Sequence, residues 1–186
     1  MSGDLHRAAK EGARWVGLID GQFGQRKAVG PREVLDVMRQ GVSVYGAASM
    51  GALRAAELHS KGMVGVGCVF EWYRDGVINA EDEVAVAYNP DTLHPLSVPL
   101  VTIRAILEVA ERQQEISPRT VLKVLNAAQK CHYAERTLQL VLDQVALEVK
   151  ESEALLRLAA SGRADVKRLD AEMLLRRIAM DVSGSP

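Results

Sequence analysis

Short apolar runs alternate with amphipathic stretches over the first half of this chain, and after Pro99 the pattern is wholly helical. Residues Asp4 to Gly12 read as a short helix with Asp4 as its N-cap. Trp15-Val16-Gly17-Leu18-Ile19-Asp20 is an apolar run stopped by Asp20-Gly21, the pattern of a buried strand and a turn. Pro31 opens the next helix at its first position, Val34, Leu35, Val37 and Met38 give it a buried face, and Gly41 ends it. Val42-Ser43-Val44-Tyr45 is a second strand rich in β-branched residues, followed by a helix from about Met50 to Lys61 that Gly62 closes.

Strand, helix, strand, helix at this spacing is a βαβ unit with parallel strands and a right-handed crossover. The C-terminal ends of both strands then emerge on one edge of the sheet, where ligands of open α/β sheets gather. Asp20 ends the first strand and Ser49 follows the second, so the two are expected to come close in space. Val66 to Arg74 reads as helical, whereas Glu83 to Tyr88 fits a third strand or a helix equally well. Helices are expected at about 100–114, 118–130, 134–149, 151–160 and 165–181, with Leu138, Val141, Leu142 and Val145 the clearest helical spacing. The fold class is therefore α/β: a small parallel sheet with flanking helices in the N-terminal half and an all-helical C-terminal half. The expected division is an α/β core over 1–98 and a helical region over 99–186 packed on it.

Composition narrows the function. Hydrophobic residues make up 48% of the 186 and charged residues 25%, the balance of a globular protein that builds its own core. A formal net charge of -1 and 4% aromatic residues argue against nucleic acid and against an anionic membrane surface. No segment approaches the roughly 18 consecutive apolar residues of a membrane helix. Cys68 and Cys131 form no paired motif, and Met1-Ser2-Gly3-Asp4 opens no signal peptide, so a reducing, cytoplasmic setting is expected.

The chemistry concentrates in Gly46-Ala47-Ala48-Ser49-Met50-Gly51-Ala52-Leu53-Arg54. A strand runs into small residues, then a serine, then at once a helix, which loosely resembles a nucleophile elbow with alanine in place of the first glycine. At a helix start the unpaired N–H groups favour a developing oxyanion. The commoner use of such a serine is to cap the helix, and anion binding without covalent chemistry is a third use. The candidate bases are Asp20 and, more weakly, His59 or Lys61, although Asp20 also suits its turn and the other two suit a helix C-terminus. Arg54, Glu57 and Lys61 share one helix face, ordinarily a solvated salt-bridge stripe; in a pocket Arg54 can hold a carboxylate or an ATP-type anion.

Other features carry less. Gly62-Met63-Val64-Gly65-Val66-Gly67 has the wrong glycine order for a dinucleotide or phosphate loop, and close backbone packing explains it better. Glu81-Asp82-Glu83 reads as a first-turn acidic cluster rather than a metal site, and His6, His59, His94 and His132 show no zinc spacing. Cys68 among valines reads as core, with a persulfide carrier as the other use of such a thiol. Arg163, Lys167, Arg168, Arg176 and Arg177, interleaved with acids, read as a solvated helix surface. No motif calls for a cofactor or a metal.

The string 46–58 resembles the signature of TfuA-like proteins, as do Gly17-Leu18-Ile19-Asp20-Gly21-Gln22-Phe23 before it and Gly62 to Gly67 after it. Phe70-Glu71, Tyr73-Arg74-Asp75-Gly76 and Asp82-Glu83-Val84-Ala85 continue the likeness, with weaker echoes at Pro99 to Arg104 and at Tyr133 with Arg136. The resemblance implies an accessory protein of peptide-backbone thioamidation that works with a YcaO-type ATP-dependent enzyme. It implies hydrolysis of a thiocarboxylated ThiS-like sulfur carrier; this acyl-transfer chemistry suits Ser49 attacking the thioacyl carbon with the N–H groups of Met50 and Gly51 as oxyanion donors, and Asp20 is the candidate base from its place at the strand edge. Arg54, Glu57 and Arg104 make up the expected substrate-binding set. The alternative is a non-catalytic adaptor that binds YcaO and improves its hold on the peptide; an unrelated small serine hydrolase is a third reading.

This chain departs from the family pattern in two places. Relatives usually carry a leading strand and a Gly-Pro-Ser-type segment before the Gly-Asp that here is Gly3-Asp4, so a missing sheet edge or a misplaced start is expected. Many also carry a Trp-His pair where this chain has Gly30-Pro31, before Arg32-Glu33. The apolar C-terminal helices offer a surface for a second copy.

Overall fold

The computed structural model describes residues 2–20 and 28–184. Gly21 of the expected turn, with Gln22 and Phe23 of the family string, lies outside the described residues. The chain divides into two compact units, one of residues 1–81 with 167–186 and one of 82–166.

The first unit holds a three-stranded parallel sheet in the order β1-β2-β3. Strand β1 (Trp15–Leu18) pairs with β2 (Ser43–Gly46) from Trp15 against Ser43 to Leu18 against Gly46. Strand β3 (Val64–Gly65) adds Val64 against Tyr45 and Gly65 against Gly46. The third strand is thus not at 83–88, where Glu81–Glu83 forms a 3-10 turn and Tyr88 makes an isolated antiparallel bridge to Pro95. Two residues between glycines are too short for any periodicity; β3 exists because β2 offers it an edge to pair with.

Helix α1 (Asp4–Lys10) is capped differently from the expectation. Its N-cap is Gly3 at φ 90, not Asp4, and no side chain at the cap bonds the first turn. The buried Glu33 carboxylate of α2 (Pro31–Arg39) takes that role, accepting the N–H of Gly3 at 2.9 Å and of Leu5 at 3.1 Å. Helix α3 (Met50–Leu58) runs into a 3-10 turn, His59–Lys61, that ends on Gly62 at φ 103. Helix α4 (Cys68–Arg74) follows β3. Gly65 lies where a Cβ would meet the Phe70 ring at 2.2 Å, so the glycine-rich stretch serves close packing.

The second unit is helical: α5 (Leu100–Arg112), α6 (Pro118–Lys130), α7 (Leu138–Asp143) and α8 (Val149–Ser161). Ile103, Leu107, Val124, Val141 and Leu155 are among its fully buried apolar residues. The helix expected over 134–149 is cut down to α7, because Thr137 starts it late by accepting the Leu140 N–H at 3.1 Å. Ahead of it Arg136, wholly buried, donates to the carbonyls of Ala128 and Cys131 and so holds the end of α6.

The last helix, α9 (Val166–Ser183), belongs to the first unit from Lys167 onward. Gly17 leaves room for it: a Cβ there would lie 2.7 Å from Leu174 and 3.0 Å from Ile178. Leu174 is fully buried against Tyr45, Ala47 and Ala48, and the Tyr45 hydroxyl donates to Asp181 at 2.7 Å. Burial, and then the Asp181 carboxylate beside it, push the Tyr45 phenol above its ordinary pKa. Among the described residues no helix is long and apolar enough to cross a membrane.

Candidate functional site

The chain leaves β2 through a tight turn. Ala47 donates to the Leu18 carbonyl at 3.1 Å, continuing the ladder with β1 for one more residue. The Ser49 N–H then reaches both the Ala47 carbonyl at 2.8 Å and the Ile19 carbonyl at 3.2 Å. The first of these bonds closes a three-residue γ-type turn around Ala48, whose φ of 67 puts it in the left-handed region. Such a conformation is uncommon for a residue with a side chain and costs on the order of 1–3 kcal/mol. Alanine is the smallest residue with a Cβ, and Ala48 is buried together with Ala47.

Ser49 stands at the N-cap position of α3, but its hydroxyl makes no capping bond. It is 3% exposed, and among the described residues the hydroxyl has no hydrogen-bond partner. The N–H groups of Met50, Gly51 and Ala52, which a helix leaves unpaired, also find no acceptor among the described residues. Buried backbone donors are rarely left unbonded, so an uncapped serine beside uncapped amides has the features of an anion-receiving helix start. The capping use of Ser49 is therefore not the one this geometry supports.

Two glycines of the motif are dictated by packing. A Cβ on Gly51 would lie 1.7 Å from the Leu18 carbonyl oxygen, and one on Gly46 would lie 2.1 Å from the Gly51 carbonyl oxygen. The first turn of α3 is thereby pressed against the ends of β1 and β2, which fixes where the hydroxyl and amides stand.

The expected neighbours of Ser49 are distributed unevenly. Asp20 follows Ile19, the residue that bonds the Ser49 backbone, so the sheet edge does bring this carboxylate to the same end of the sheet. Its Oδ2 lies 3.7 Å from Nζ of Lys167, from the first turn of α9. His59 and Lys61 lie beyond the far end of α3, about 15 Å along the axis from Ser49 for His59 at 1.5 Å per residue. There the His59 ring bonds the Ala56 carbonyl and stands edge-on to Phe70.

Arg54 is buried, its Nε donating to the Val29 carbonyl at 2.9 Å and its Nη1 to Glu57 at 2.5 Å. It thus fastens the returning chain before α2 to α3. Arg104 belongs to the second unit, where it forms a two-pronged ion pair with the buried Glu83 at 2.9 and 2.7 Å. Asp82 and Glu83 of the acidic triplet each have an arginine, Arg136 and Arg104, and among the described residues no group of acids, histidines and cysteines is gathered to hold a metal.

Lys167 and Asp170 are the residues that sequence reasoning assigned wrongly, as part of a solvated surface or its acidic interleaving. Lys167 is 14% exposed, and Asp170 only 2%. Asp170 accepts the N–H groups of Cys68 and Val69, each at 2.8 Å, and so caps α4 from 102 positions away. Gly67 at φ 93 makes room for it, since a Cβ there would lie 2.2 Å from the Asp170 Cγ. Burial holds the Asp170 carboxyl above the usual carboxylate range although both amide bonds pull it down. The signal was available: 167, 170, 171, 174 and 178 fall on one helical face with the apolar Ala171, Leu174 and Ile178.

Comparison with known proteins follows the same residues. No curated protein matches the chain. A family model described as TfuA-like protein matches residues 20–137, more than half of the 186, from the carboxylate at the end of β1 through the whole of the β2–α3 turn. The chain that builds this uncapped serine at the edge of a parallel sheet therefore belongs to the TfuA-like family and has an accessory role associated with thioamidation.

Proposed function

We propose that this protein releases sulfide for peptide-backbone thioamidation by hydrolysing a thiocarboxylated ThiS-like sulfur carrier, and delivers that sulfide to a YcaO-type ATP-dependent enzyme. The observation that carries the reading is the pairing of an unbonded Ser49 hydroxyl with the unbonded N–H groups of Met50 and Gly51 among the described residues. Ser49 attacks the thioacyl carbon, and the two amides receive the charge that develops on its oxygen. The serine proton leaves with sulfur as bisulfide, the acyl group remains on Ser49, and water then returns the carrier as its carboxylate. Asp20, at the same end of the sheet as Ser49, is the acid–base group that activates that water. Arg54 braces the helix that carries Ser49 by bonding the Val29 carbonyl and Glu57.

The burial of Ser49 favours one second reading, a non-catalytic adaptor that grips YcaO and strengthens its hold on the peptide. Sulfide release from purified thiocarboxylated carrier, measured with wild type and Ser49→Ala in the absence of YcaO, separates the two. Hydrolysis predicts release by the wild type and a loss of about a hundredfold or more in the variant. Equal release by both proteins removes serine catalysis, and no release by either leaves the adaptor.

A further inference from the structure

We infer that Lys167 reads the negative charge of the acyl group presented to Ser49, and so selects carriers that end in a carboxylate-type anion; this inference rests on the carrier-hydrolase reading above. The first turns of α9 lie against the C-terminal end of every strand in the sheet. Asp170 bonds the amides of Cys68 and Val69 after β3, Ala171 and Leu174 pack with Ala47 and Ala48 after β2, and Lys167 meets Asp20 after β1. Asp20 in turn follows Ile19, the partner of the Ser49 N–H. A single helix therefore carries its ammonium group to the edge where the serine stands.

The burial of Lys167 sets it apart from its neighbours. Its side chain is 14% exposed, against 51% for Arg168 and 74% for Arg176 on the same helix. Withdrawing an ammonium from water is costly unless anions surround it. The Asp20 carboxylate, its Oδ2 3.7 Å from the ammonium nitrogen, is one such anion. Lys167 acts as a fixed cation, and proton transfer does not pass through it.

The proposed reaction needs such a cation. A thiocarboxylate, R–COS⁻, already carries a negative charge spread over oxygen and sulfur, which repels an incoming oxygen nucleophile. In the first step the Ser49 hydroxyl and R–COS⁻ give the acyl ester of Ser49 and HS⁻, the serine proton ending on sulfur. In the second, water cleaves the ester to R–COO⁻ and a proton, restoring the serine. The ammonium is unchanged throughout; it neutralises the substrate charge so that attack does not build a second one unopposed. The buried guanidinium of Arg54 is committed to the Val29 carbonyl and Glu57.

The test measures binding and needs no turnover. A ThiS-like carrier ending in a free carboxylate, and the same carrier ending in a carboxamide, are titrated onto wild type, Lys167→Gln, Lys167→Arg and the surface control Arg176→Gln. Wild type and Arg176→Gln are expected to bind the carboxylate form about tenfold or more tightly than the amide, a difference of about 1.4 kcal/mol. Lys167→Gln loses that preference, and Lys167→Arg retains part of it. A wild type that does not discriminate overturns the inference. So does a Lys167→Gln variant that weakens both forms equally, as loss of a merely structural ion pair would. Failure of the hydrolase reading is seen separately, as undiminished sulfide release by Ser49→Ala or as no release by either protein, and leaves the two titrations intact.

Discussion

Gly51 and Leu18 are in backbone contact: a methyl group on Gly51 would stand 1.7 Å from the Leu18 carbonyl oxygen. The acceptor is main chain in a paired strand, so it cannot move aside as a side chain would. Gly51→Ala is expected to cost at least about 3 kcal/mol, in the range reserved for overpacking and lost backbone geometry, and to abolish sulfide release even where protein is recovered. Denaturant midpoints of the variant and wild type check it. A midpoint within error of wild type would show that the α3 start is not pressed against β1 as described.

Removing the Ser49 hydroxyl should behave oppositely to removing a true cap. The Ser117 hydroxyl starts α6 by accepting the Thr120 N–H at 3.1 Å, whereas the Ser49 hydroxyl caps nothing in α3. Ser117→Ala is expected to cost about 1 kcal/mol, and Ser49→Ala is expected to be neutral within about 0.5 kcal/mol. Parallel denaturation curves for the two variants decide the matter, and a cost at Ser49 equal to that at Ser117 would return it to a capping role.

The two serines also mark how much the chain itself discloses. Strand-serine-helix order, Pro31, Pro118 and the terminating Gly62 are local signals, and each yields its element within a few residues. The family string was likewise readable because its glycines and alanines are contiguous. What escaped was non-local. Strand β3 is defined by the edge it pairs with, and the cap of α1 comes from Glu33 rather than from its own Asp4. Lys167 reads as surface from its charge alone, although its register with Leu174 places it on the buried face. Charged residues on an apolar helical face are where composition misleads and periodicity would have helped.

Asp170 predicts a pH dependence with a definite sign. Its folded carboxyl holds its proton more tightly than the roughly 3.9 of an unfolded aspartate. The native state therefore binds more protons than the unfolded one in the window above that ordinary value, and stability declines as pH rises through it. Asp170→Asn is expected to remove this decline. Asp170→Ala, which orphans the Cys68 and Val69 amides, should cost about 2–3 kcal/mol. Melting temperatures from pH 4 to pH 8 give both results. A slope unchanged in Asp170→Asn would assign the titration to another group.

Arg104 is expected to matter for stability of the second unit through Glu83. Glu83→Ala leaves a largely buried guanidinium without its carboxylate and should cost about 3 kcal/mol. Replacing both, Arg104→Met with Glu83→Leu, should recover most of the loss, because a packed apolar pair avoids the desolvation penalty. If the double variant is as unstable as the single one, the pair is not the source of the effect.

The final helix contributes Asp170 to α4 and Lys167 to the end of β1, across more than a hundred positions of chain. During synthesis the sheet edge must therefore wait for the bonds that Asp170 and Lys167 bring until residues beyond 166 have cleared the ribosome. Contacts of such long range close slowly. The part of the molecule nearest the serine is consequently among the last to be finished, and a nascent chain stalled before α9 holds strands and turn without the charges that complete them.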